Sequence, residues 1–143
     1  MSAFVHFHYV GPSFHFPKRK AVKQFLLDLA RQEGHALERL DYIFCDDEYL
    51  LSINRQFLQH DYYTDIITFP YAAKGMPLSG DIYISIDRVR ENAASLVIPF
   101  QKELLRVLVH GLLHLCGYRD KTKAEIIRMR AREDQALLDF ENI

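Results

Sequence analysis

From Pro99 to Cys116 the chain is apolar almost throughout, and Lys102, Arg106, His110 and His114 interrupt it at intervals of four. Side chains four apart lie on one helical face, so these four form a single slowly drifting stripe. A helix this apolar must be buried around the rest of its circumference, which demands a layer of other elements on either side of it. Its polar stripe then reads as one wall of a cleft. The same stripe argues against a membrane span, because the apolar run Leu104 to Cys116 is interrupted and shorter than the about 20 residues a bilayer needs.

The C-terminal half of this segment carries chemistry. Imidazoles at i and i+4 stand close enough, at about 6 Å, to share one ion. Gly117 follows His114 by three and can adopt the left-handed conformation that ends a helix and reverses the chain. Asp120 then falls where a third ligand could reach the same ion. The pattern His110-x-x-x-His114-x-x-Gly117-x-x-Asp120 therefore predicts a metal site, with one zinc ion per chain as the expected occupant. Gly111 needs a reason too, since glycine inside a helix costs about 1 kcal/mol relative to alanine. Either backbone or substrate approaches closely beside the metal, or the helix packs tightly on a sheet. A general-base glutamate occupies this position in helical zinc peptidases, so glycine here makes peptidase chemistry a poor reading.

Around this helix, short strands alternate with helical periodicities. Phe4 to Tyr9 alternates as a strand and Gly11-Pro12 closes it; Pro17 opens a helix that Gly34 stops. Leu40 to Cys45 reads as a strand, and Asp46-Asp47-Glu48 caps a helix running to about Phe57. Ile66 to Phe69, closed by Pro70, and Gly80 to Ile86 are two more strands. Asp87 caps a helix to about Leu96, Pro99 opens the next, and a last helix spans Lys123 to Phe140. The expected fold is α+β: one domain over residues 1–143, with a small mixed sheet of about four strands against about five helices, one of them a zincin-like metal helix.

Composition narrows the function classes. The 143 residues carry a net charge of −1, so a generic nucleic-acid binder is not the default reading. Charge is unevenly spread, with Lys102, Arg106, Arg119, Lys121, Lys123, Arg128, Arg130 and Arg132 outnumbering the acids between residues 100 and 132. That stretch is either a solvated helix face or an anion-binding surface. Cys45 and Cys116 are far apart in apolar surroundings, which suits inert thiols in a reducing compartment. Met1 to Val10 lacks the basic start and apolar block of a signal peptide, so the expected location is the cytoplasm, with no membrane partner.

The segment from His110 to Tyr118, with glycine and not glutamate after the first histidine, resembles the YbeY family of bacterial metal-dependent endoribonucleases and ribosomal RNA maturation factors. Ile53-Asn54, the block Tyr63 to Pro70 and the stretch Ser79 to Ile82 are similar to further family segments, in the same order. The resemblance implies a zinc-dependent endoribonuclease acting in ribosomal RNA maturation and small-subunit biogenesis, with ribosomal RNA and small-subunit ribosomal proteins as partners. Two positions depart from the family pattern. Asp120 stands where the family usually has a third histidine; carboxylate suits zinc, although its charge should make bound water less acidic. Leu58 stands where the family usually has an arginine that serves the RNA chemistry, which leaves open a non-catalytic ribosome-assembly or RNA-binding factor with a structural metal.

Beyond water held at the metal, no catalytic group is assigned, and the attacking nucleophile could be water or a ribose 2′-hydroxyl. Arg106, one turn before His110, would meet RNA phosphate or form a salt bridge to an acidic neighbour. Thr64 and Asp65 would line the cleft or cap a loop. Tyr62, Tyr63, Phe69 and Tyr71 would stack on bases or form core and rim. His6, His8, His15, His35 and His60 have no ligand spacing to the motif.

Overall fold

A computed structural model describes residues 4–142. Residues 1–3 and 143, the ends of the expected 1–143 domain and the start of the Met1 to Val10 segment, lie outside the described residues. The elements run β1 (Val5–Tyr9), α1 (Arg19–Gln32), β2 (Leu37–Cys45), α2 (Asp47–Leu58), β3 (Ile66–Pro70), β4 (Leu78–Ser85), α3 (Ile86–Leu96), α4 (Phe100–Leu115) and α5 (Lys123–Glu141). The four strands form one sheet in the order β1-β2-β4-β3, with β1, β2 and β4 parallel and β3 antiparallel to β4. This is the α+β arrangement of four mixed strands and five helices expected from the sequence.

Register explains how the sheet is covered. Val5 pairs with Leu40 and Leu40 with Gly80, so Val5, Phe7, Tyr9, Leu40, Tyr42, Phe44, Ile82 and Ile84 share one face. That face packs on α1 and α4, and α5 closes over α4, in a main core that includes Leu26, Leu29, Leu104, Leu108, Leu112 and Leu137. Burying this many aliphatic side chains, at about 1.5–3 kcal/mol each, is the dominant stabilising term. The opposite face is covered by α2 over Cys45, Ile67, Phe69 and Tyr83.

Two contacts fix α4 against the sheet. The buried Tyr42 hydroxyl donates to the Leu108 carbonyl at 2.7 Å. A Cβ at Gly111 would stand 2.9 Å from Ile82 Cδ1 and 3.1 Å from Ile66 Cδ1. Gly111 is therefore required by tight packing on the sheet, and not by an approach of substrate.

The boundaries shift in places. β2 starts at Leu37 and β4 at Leu78, both earlier than their periodicity suggests, because parallel pairing of Leu37 with Leu78 extends the ladder. The third helix begins at Ile86, and its cap is Ser85, whose hydroxyl accepts from the Arg88 amide at 3.3 Å. Asp87, expected as the cap, instead accepts from the Asp47 amide at 2.9 Å and ties the start of α3 to the start of α2. Pro17 precedes α1 by two residues, with Lys18 in the left-handed region at φ 58°. No helix among the described residues is long and apolar enough to cross a membrane.

Candidate metal centre

The end of α4 places the metal-binding candidates. Gly117, at φ +105°, lets its own amide bond to the His114 carbonyl and the Tyr118 amide to the Leu113 carbonyl, both at 3.0 Å. This paired closure is the Schellman turn, and it folds the chain back over the final turn of the helix. Two consequences follow. The Tyr118 carbonyl lands 3.0 Å from His114 Nδ1, and Asp120 returns to face both imidazoles.

Asp120 Oδ2 lies 3.4 Å from His110 Nε2 and 3.3 Å from His114 Nε2. Donor atoms around tetrahedral zinc, each at about 2.0–2.1 Å from the ion, stand roughly 3.3–3.4 Å from one another. One ligand atom from each residue falls within 4.8 Å of the others, the only such group of three His, Cys, Asp or Glu among the described residues. The donor set thus fits a metal ion in its spacing and its chemistry.

Behind the candidate ligands is a dry ionic cluster. His110 Nδ1 is 2.6 Å from Glu133 Oε2, on α5. With Glu133 as acceptor, the ring carries its proton on Nδ1 and turns a free Nε2 toward Asp120. The other Glu133 oxygen accepts from Arg106 Nη1 at 3.1 Å, while Arg106 Nε donates to Glu103 at 2.8 Å and Nη2 donates to the same carboxylate. Glu103 and Glu133 are 0% and 1% exposed, so without these partners each would be a costly buried charge. Burial by itself would raise the Glu133 carboxyl, but His110 and Arg106 outweigh it and hold the group below its ordinary value.

In front of the ligands is an open cleft of about 790 Å³. One wall is α4 and α5 with their connection, contributing Arg106, His110, His114, Asp120, Lys121 and Arg130. The other is the end of α2 and edge strand β3, contributing Leu58, Thr64, Asp65, Ile66 and Thr68.

The model of the family described as Endoribonuclease YbeY matches residues 14–141 of this chain. The chain belongs to the YbeY family. Relatives named Endoribonuclease YbeY include one from Cytophaga hutchinsonii, 52% identical over 84% of each chain, and one from Porphyromonas gingivalis, 43% identical over 94% of this chain and 88% of the relative. A relative of the same name from Flavobacterium psychrophilum is 51% identical over 83% of this chain and 81% of its own. The solution structure of a Thermotoga maritima protein superposes with a TM-score of 0.63 at 25% identity, covering 95% of this chain and 92% of that one.

Within this YbeY-family site, the structure brings together His110, His114 and Asp120 as the motif predicts. It places Arg106 on the cleft wall with its guanidinium in salt bridges, the second of the two roles read for it. Thr64 and Asp65 line the cleft. Leu58 is half-exposed at its edge. Tyr62, Tyr63 and Tyr71 are exposed, with hydroxyls bound to His60, Glu48 and Asp81, and only Phe69 packs inward. Burial pushes both thiols up to about 12, so Cys45 and Cys116 are inert as expected. His8 lies far from the cleft on Asp41.

Glu103 and Glu133, which brace the candidate site through Arg106 and His110, are residues that sequence reasoning missed. The available signal was Glu103 itself, an acid inside an otherwise apolar helix and three residues before Arg106.

Proposed function

We propose that this chain is a zinc-dependent endoribonuclease of ribosomal RNA maturation, built as one domain and working in the cytoplasm on small-subunit RNA and its proteins. The observation that carries the reading is the convergence of both Nε2 atoms on the Asp120 carboxylate at the floor of an open cleft. His110, His114 and Asp120 would hold one zinc ion, which when bound supplies Lewis acidity toward a phosphoryl oxygen or a water molecule. The chain's own residues set up that chemistry before substrate arrives. Glu133 and the Tyr118 carbonyl each accept from an Nδ1–H, so both imidazoles keep the tautomer and ring angle a ligand needs. Arg106 keeps Glu133 in place by dividing its charge between Glu133 and Glu103. Asp120 is the most exposed ligand, at 41%, and faces the cleft where an RNA phosphate would enter.

Chelated protein should cleave no RNA, and added zinc should restore cleavage; His110→Ala should abolish it while the domain stays folded. Asp120→His should keep the metal, because a third imidazole reaches the same place. One observation favours a second reading as a non-catalytic ribosome-assembly factor: the α2–β3 wall presents Leu58 to the cleft and no cation. Leu58→Arg should then raise a weak activity several-fold by adding charge next to the phosphoryl transition state. If ribosome association survives loss of the ligands and no metal supports cleavage by either protein, the assembly-factor reading replaces the enzyme.

A further inference from the structure

The geometry points to Lys121 and Arg130 as the two side chains that grip the sugar–phosphate backbone of an RNA substrate, an assignment that rests on the endoribonuclease reading. A phosphodiester brought to the metal ligands carries a full negative charge into a cleft that already holds Asp65 and Asp120, with Glu133 directly behind. A dication held by the ligands would offset the phosphate at the reacting position, but the flanking phosphates of a strand need further cations. Among the described residues three line the cleft: Arg106, Lys121 and Arg130. Arg106 is already neutralised, since it lies between Glu103 and Glu133 and is 14% exposed.

The other two keep hydrogen-bond donors free. The Lys121 ammonium takes part in no ion pair among the described residues, while its backbone amide is anchored to Glu125 at 3.1 Å. That anchor is part of the cap that starts α5, so the lysine is exposed on a fixed piece of backbone beside Asp120. Arg130 is 55% exposed and makes only a long ion pair with Glu133, Nη1 to Oε1 at 3.8 Å, beyond hydrogen-bond range. The Glu133 oxygens are taken by His110 and Arg106 at 2.6 and 3.1 Å, so Arg130 keeps its donors for a ligand. Arg130 also borders the space between His110, Asp120 and Ile126, directly against the ligand set.

Both cations belong to the same wall. The facing α2–β3 wall has Leu58, Thr64, Asp65 and Ile66, with no positive charge among the described residues. An RNA strand crossing the cleft would therefore lay its phosphates along the start of α5 and turn its bases toward β3. Phosphate contacts of this kind set affinity and register, and they leave a signature in the salt dependence of binding.

The test uses the full chain loaded with zinc and a short RNA oligonucleotide, with Lys121→Gln, Arg130→Gln, the double variant, Arg130→Lys, and Arg31→Gln on α1 as an exposed control. Each glutamine variant should bind RNA about tenfold more weakly, as expected for loss of a charge-assisted contact. Each should also lower the slope of log affinity against log salt by about 0.7–0.9. Effects should fall on KM more than kcat, zinc content should not change, Arg130→Lys should retain most of the affinity, and Arg31→Gln should match wild type. A double variant that binds with wild-type affinity and slope would overturn the assignment, and so would wild-type KM in that variant when wild type cleaves. If wild type binds RNA with this dependence on both cations yet never cleaves it, the assignment stands and the endoribonuclease reading fails. Wild-type protein that binds no RNA at any salt concentration would sink both.

Discussion

The molecule contains the same trio of groups twice. On the sheet, His8 Nε2 is 2.7 Å from Asp41 Oδ1, and Arg39 Nε donates to the other oxygen of Asp41 at 2.6 Å. Between α4 and α5, His110 Nδ1 is 2.6 Å from one oxygen of Glu133, and Arg106 donates to the other at 3.1 Å. Each carboxylate joins one histidine to one arginine. Two differences separate them. The sheet trio is open, with His8 48% and Arg39 63% exposed, whereas the helix trio is nearly dry, with His110 17% and Arg106 14% exposed. The bonded nitrogen also differs. His8 is held by Nε2, its outermost atom, while His110 is held by Nδ1 and keeps Nε2 free for Asp120 and His114. A histidine tied to a carboxylate can therefore serve as a ligand only where the second nitrogen meets further donors.

The largest effect that tests this contrast is on metal content. His110→Ala removes a candidate ligand and should leave chelated and reloaded protein essentially without zinc. His8→Ala should hold zinc as wild type does. Equal loss of zinc from both variants, read by metal analysis after gel filtration, would mean that the site does not lie on α4.

The carboxylates come next. Glu133→Ala frees the His110 ring and leaves Arg106 with one partner, so zinc affinity should fall about 10- to 100-fold. Breaking a buried pair costs about 3–5 kcal/mol, and the remaining Glu103 contact puts this variant near the lower end. Glu133→Gln keeps an acceptor and should recover part of the affinity. Asp41→Ala should leave zinc untouched and cost about 1 kcal/mol or less, since both its partners are solvent-screened. Denaturant midpoints and zinc competition titrations separate the two quantities. A Glu133→Ala protein with wild-type zinc affinity would reduce the helix trio to a purely structural ion cluster.

The contrast also shows what a sequence can reveal. His110, His114, Gly117 and Asp120 are legible because one helical turn and one Schellman turn determine where they go, all within eleven residues. The order of elements follows from similar local periodicity, whereas the strand directions, three parallel and one antiparallel, show only in the pairing. Glu133 is illegible for the opposite reason. It meets His110 across 23 residues, and α5 carries acids and bases on most sides, so nothing local marks this one for burial. Ser85 caps α3 while Asp87 is taken up by the Asp47 amide, a partner 40 residues away that no local pattern shows. Gly111 belongs in between, with an oddity visible in sequence and a cause, Ile82, visible only in the packing.

The smallest effect is on acid stability. Burial would raise both carboxyls, but it is outweighed: His110 and Arg106 hold Glu133 below its ordinary 4.5, and His8 and Arg39 hold Asp41 below its ordinary 3.8. A depressed carboxyl binds its proton later in the folded chain than in the unfolded one. The stability it adds is complete above the ordinary value and is lost as pH falls through the folded value. Glu133 should therefore contribute to a fall in melting temperature that begins near pH 4.5, and Asp41 to one that begins near pH 3.8. In chelated protein, Glu133→Gln should flatten the first part of that decline and Asp41→Asn the later part. Salt separates the two further. At 1 M the screening length is about 3 Å, so the Asp41 contribution to its exposed partners should shrink while the buried Glu133 contribution persists. Acid melting curves that shift equally with salt in both variants would show that the two trios share one environment, and the distinction drawn from burial would fail.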